Sequence, residues 1–232
     1  MEAIAYESAL IVGAGRGLSA SLARRFSKEG MRVALASRDP SKLQALCAET
    51  GAAAFACDVS DAAQVESLFA QVDERFPRLD VVVFNPSARA RGPFVELDPK
   101  DVQRTLSVTA MGGFLVAQQA AKRMLPRNFG AILFTGASAS VKGYPQSAPF
   151  AMAKFALRGL AQSMARELSP QGIHVAHFVI DGAIQPPDRE STQRLDAMLD
   201  PNAIADTYLH VLKQPRSAWT WEVELRPWTE KF

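Results

Sequence analysis

Cysteine is almost missing from this chain. Cys47 and Cys57 are the two cysteines among 232 residues, too few for a disulfide framework and without thiolate metal spacing. Three histidines, His174, His177 and His210, add no ligand pattern, so no metal site is expected. No stretch reaches about 18 consecutive apolar residues, so no membrane-spanning helix is expected. Charge of one sign is also lacking: 26 Lys and Arg face 24 Asp and Glu, a net of +2. Without a run of about five like charges or a basic stripe, nucleic acid and acidic membrane surfaces are excluded as partners. Residues 1–4 show neither the basic nor the apolar part of a secretory signal. With reduced thiols, that points to the cytoplasm. Repeats, low-complexity tracts and Pro/Gly/Ser-rich linkers are absent too, and residues 1–232 are expected to form one domain.

What is present is a regular alternation. Short apolar, β-branched runs at 8–13, 31–37, 53–57, 79–85, 131–135, 175–180 and 220–225 predict strands. Amphipathic stretches at 18–29, 41–49, 62–76, 99–125, 149–169 and 201–213 predict helices between them. Several strands are apolar throughout, as when helices cover both faces of a parallel sheet. The order predicts an α/β fold, a single-domain, Rossmann-like, doubly wound parallel sheet of about seven strands. Asp39-Pro40 and Asp98-Pro99 mark helix starts, and Gly30, Gly51 and Gly172 follow helix ends. One span is irregular: 181–200, with Pro186-Pro187, is either a lid over a site or a solvated connection.

The first strand runs into Gly13-Ala14-Gly15-Arg16-Gly17-Leu18-Ser19, which then becomes a helix. Glycines let backbone amides approach a pyrophosphate, and a helix N-terminus adds unpaired N–H groups and partial positive charge. This placement predicts a dinucleotide site. At the second strand's tip stand Ser37 and Arg38 rather than an acid, and with Arg16 they favour NADP over NAD. Asp39 is expected to cap the next helix.

The glycine loop resembles the G-x-x-x-G-x-G loop of the short-chain dehydrogenase/reductase family, with Gly13 and Gly17 in place and Ser19 for the third glycine. The resemblance covers essentially the whole chain. Asp58-Val59 is similar to the family's adenine-contacting pair, Asn85-Pro86-Ser87-Ala88 stands at its N-N-A-G segment, and Gly182 and Ile184 fall in the segment beneath the nicotinamide. By that resemblance the cofactor contacts are Gly13, Gly15, Arg16, Gly17, Leu18, Ser37, Arg38, Asp58, Val59, Asn85, Pro86, Ser87, Lys154, Gly182 and Ile184.

The family's Asn–Ser–Tyr–Lys set is carried less completely. Lys154 matches, and its implied role is to hold the nicotinamide ribose. Phe150, four residues earlier and on the same helix face, stands where the resemblance puts the proton-donating Tyr. The Ser position falls on Ala137, with Ser138 as a shifted replacement, and the Asn position falls on Thr109. Tyr144 and Asp181 are candidate proton donors, whereas Ser147 occupies the position where the family's enoyl-reductase branch carries its Tyr. His174 and His177 are expected to be structural. The resemblance implies an oxidoreductase acting on a small carbonyl or alcohol with an atypical site. A cofactor-binding sensor or structural protein with little turnover is the alternative. Phe94, Phe150 and Tyr144 make a polar sugar a less obvious substrate, and the resemblance implies a homodimer or homotetramer through the helices at 101–125 and 149–169.

Overall fold

The computed structural model describes residues 5–187 and 197–230. In chain order, β1 (Ser8–Val12), α1 (Leu18–Lys28), β2 (Arg32–Ser37), α2 (Gln44–Thr50), β3 (Ala53–Ala56), α3 (Ala62–Arg75) and β4 (Val81–Phe84) make the first half. The second half is α4 (Pro99–Leu106), α5 (Gly112–Met124), β5 (Gly130–Thr135), α6 (Ala148–Leu168), β6 (Ile173–Ile180), α7 (Pro201–Leu212) and β7 (Glu222–Leu225). The strands form one seven-stranded sheet in the order β3-β2-β1-β4-β5-β6-β7. Every pairing in it is parallel, so the expected doubly wound architecture is present.

Because side chains alternate across a strand, each strand feeds two cores. On β1, Ala9 and Ile11 pack toward Leu22 and Phe26 of α1 and Tyr208 and Leu212 of α7. Leu10 and Val12 pack toward Leu68 and Phe69 of α3, Val116 of α5 and Leu157 of α6. Burial on both faces explains why these strands read as continuous apolar runs. Among the described residues, no helix is long and apolar enough to cross a membrane.

Boundaries follow local chemistry. Asp39 and Asp98 accept backbone N–H bonds from Ser41 and Lys100 at their helix starts, while Gly30, Gly51 and Gly172 take the left-handed conformation after helix ends. Most strand ends retreat by one or two residues from the expected limits, whereas β5 and β6 start one and two residues earlier. The stretch 99–125 is helical throughout, as expected, with one irregularity. A π-helical turn, Ser107–Met111, separates α4 from α5. There the Thr109 hydroxyl, fully buried, accepts a bond from the Ala88 N–H at 3.2 Å. Likewise 41–49 begins as a 3₁₀ turn, Pro40–Leu43. The centre of the expected lid, residues 188–196, lies outside the described residues; its two flanks are joined by an Ile184–Leu199 bridge.

Candidate active site

At the carboxyl ends of β1 and β4 the chain departs in opposite directions, which opens a crevice between their loops. Gly13, at φ +77°, lies so close to the β4 loop that a Cβ there would come within 2.6 Å of the Pro86 nitrogen. Ser19 ties the loops together: its hydroxyl donates to the Gly13 carbonyl at 3.1 Å and accepts from the Asn85 amide at 2.7 Å. A hydroxyl where a third glycine was expected is therefore a structural link. Gly15 and Gly17 have open space where a side chain would project. No side chain caps the first amides of α1. Uncapped amides beside an open cradle fit a pyrophosphate.

The expected ribose-side residues are also at this edge. Arg16 and Arg38 are exposed, and the buried Ser37 hydroxyl has no hydrogen-bond partner among the described residues. Asp39 caps the following turn, as expected. Asp58 accepts from the hydroxyl and amide of Ser60, which hold its carboxyl below the usual range, and Val59 is buried beside it.

Beside this crevice, a pocket of about 860 Å³ runs from the β4 loop across the ends of β5 and β6. Asn85, Ser87, Ala137, Ser138, Tyr144, Ser147, Phe150, Lys154, Gly182 and Ile184 all line it. Lys154 is 2% exposed, and its Nζ donates to the Thr135 carbonyl at 2.7 Å. Burial, with a smaller push from the Arg89 charge, lowers its pKa to about 7. Phe150 sits one turn earlier, its ring 5.9 Å from that amine. Tyr144 overhangs the mouth, 46% exposed.

Sequence reasoning missed Arg89 and Arg91, which also line the pocket. The Arg89 guanidinium lies over the Phe150 ring at 4.2 Å from its centroid. No sequence pattern joins these residues; the β4 loop and the start of α6 meet only in the folded sheet. Two further expectations need correction. Phe94 is 80% exposed and does not line the pocket, so the lining is less apolar than foreseen. Asp181 does not line it either: its carboxylate is paired with Lys142 at 3.0 Å and Arg226 at 3.3 Å. His174 stacks on Trp219, and His177 bonds Glu222 at 3.1 Å with its pKa pushed down to about 4 by burial. Both join β6 to the β7 region rather than facing the pocket.

Comparison with known proteins agrees with this architecture. A short-chain dehydrogenase from Rhodopseudomonas palustris superposes with a TM-score of 0.83 at 35% identity, over 96% of this chain and 99% of that one. A metagenomic short-chain oxidoreductase solved with NADP gives 0.83 at 26% identity, over 95% and 97%. D-threitol dehydrogenase from Mycolicibacterium smegmatis is 31% identical over 172 residues, 72% of this chain but just under two thirds, 66%, of that protein. Residues 7–194 match the short chain dehydrogenase family model. With the fold, the glycine crevice and the Lys154 pocket in agreement, the chain belongs to the short-chain dehydrogenase family of oxidoreductases.

Proposed function

We propose that this single-domain protein is an NADP-dependent oxidoreductase that interconverts a small carbonyl compound and its alcohol at a site with Phe150 where the family carries Tyr. The observation that carries this reading is the buried Lys154 amine, held on the Thr135 carbonyl inside a pocket whose Asn85 is tied to Ser19 of the glycine loop. The NADP complex of the metagenomic relative supports the choice of cofactor.

NADP, when bound, supplies or accepts the hydride. The α1 amides with Gly13, Gly15, Gly17 and Leu18 bind its phosphates, and Arg16, Ser37 and Arg38 favour the 2′-phosphate. Asp58 and Val59 face the adenine, while Asn85, Pro86, Ser87, Gly182 and Ile184 shape the nicotinamide end. Lys154 has donors left beyond its Thr135 bond. They hold ribose hydroxyls and carry the proton that the carbonyl oxygen needs, at an amine poised near neutrality. Ser138 polarises the substrate oxygen, Phe150 packs against the substrate without a proton to give, and Tyr144 narrows the mouth. The non-catalytic alternative gains no support from an open pocket that keeps its lysine. Self-association through α5 and α6 belongs to the same reading.

Fluorescence titration with NADPH and NADH tests the cofactor assignment. NADPH is expected to bind about tenfold tighter than NADH, with the preference lost in Arg38→Gln. No binding of either nucleotide overturns the proposal.

A further inference from the structure

Among the described residues, the pocket is lined by three cations, Arg89, Arg91 and Lys154, and by no carboxylate. Neither arginine forms a salt bridge with any described residue, whereas Arg24, Arg123 and Arg158 pair with Glu49, Asp73 and Glu222. Both belong to the segment after β4, which is fastened at two points. Ala88 N–H bonds the Thr109 hydroxyl at 3.2 Å, and Gly92 N–H bonds the Gln146 carbonyl at 3.2 Å. The guanidinium of Arg89 is further positioned by the face of Phe150, 4.2 Å away. Like charges brought together in one concavity repel, and the Arg91 charge accordingly adds to burial in lowering the Arg89 pKa. Such an arrangement is relieved by an anion between them, and a planar guanidinium fork matches a carboxylate in two parallel bonds.

We infer that the substrate of this site carries a carboxylate, bound by Arg89 and Arg91, beside the carbonyl or alcohol that reacts near Lys154. The inference rests on the oxidoreductase reading for the reacting group, while the anion site rests on the arginines alone.

The test is calorimetric titration of the full chain, with and without saturating NADP⁺. The probes are benzoylformate and 4-oxo-4-phenylbutanoate, each against its methyl ester. The two acids differ in the distance between charge and carbonyl. At least one acid is expected to bind about tenfold or more tightly than its ester, with the ratio falling to about twofold or less in Arg89→Gln and Arg91→Gln. NADPH affinity in these variants is expected to stay within about twofold of the parent. Equal binding of acid and ester, no binding of either, a ratio untouched by the variants, or a parallel loss of NADPH affinity each overturns the inference. Failure of NADPH to bind the parent chain overturns the oxidoreductase reading instead, and the acid–ester ratio without nucleotide then decides the anion site by itself.

Discussion

Lys154 is subject to opposing demands. Its amine is enclosed, and burial followed by the Arg89 charge lowers its pKa from 10.5 to about 7. Between those values the unfolded chain binds more protons than the folded one, so the stability contributed at this position rises with pH from about 7 to 10.5 and is least below 7. Lys154→Met is therefore expected to melt at a higher temperature than the parent at pH 7, with the difference shrinking at pH 10. The same variant should bind NADPH roughly 10-fold to 100-fold more weakly, as loss of charged hydrogen bonds implies. Thermal melts at the two pH values and a nucleotide titration check both. If this amine supplies the proton, kcat for carbonyl reduction falls as pH rises through about 7; a profile flat from pH 6 to 8 contradicts that role. The lysine's place in a site was legible through the family resemblance, with Phe150 one turn earlier on the same helix face. Arg89 was not legible, because its partner Phe150 is met only through the sheet.

Elements show the same division. Strand and helix order was readable from periodicity, and Asp39, Asp98, Gly30, Gly51 and Gly172 marked five of the helix boundaries. The π-helical turn at Ser107–Met111 was not readable, since the apolar spacing continues smoothly from α4 into α5 and the Ala88–Thr109 bond found at the turn is tertiary. Thr109→Val removes that acceptor, and is expected to cost about 1–3 kcal/mol in denaturant melts through the unpaired Ala88 N–H. It should also weaken the acid–ester preference, because Arg89 rides on that segment. Gly136, at the end of β5, is a second case. A Cβ there would stand 2.4 Å from His177 Nε2 and 2.8 Å from the Phe178 carbonyl. Gly136→Ala is expected to destabilise by about 1–3 kcal/mol, read in the same melts.

At the scale of the whole molecule, the sheet topology was legible and the surface was not. Met111 and Phe114 around the start of α5, with Met152 and Phe155 on α6, are large apolar side chains left exposed. Exposed apolar groups on adjoining helices suit an interface between copies, as the proposed self-association requires. Phe155→Glu is expected to shift the protein to monomer in sedimentation velocity; an unchanged sedimentation coefficient places any interface elsewhere. The pocket's charge was likewise hidden, because a net of +2 over the chain says nothing of three cations gathered in one cavity.

Catalysis without a tyrosine at 150 is tested most directly by NADPH oxidation with a panel of carbonyl compounds that includes oxo acids. The parent chain, Phe150→Tyr and Lys154→Met are compared side by side. Turnover is predicted in the parent, with a loss of about 10²-fold or more in Lys154→Met. Tight NADPH binding with no turnover in the parent, and activity appearing only in Phe150→Tyr, would contradict it.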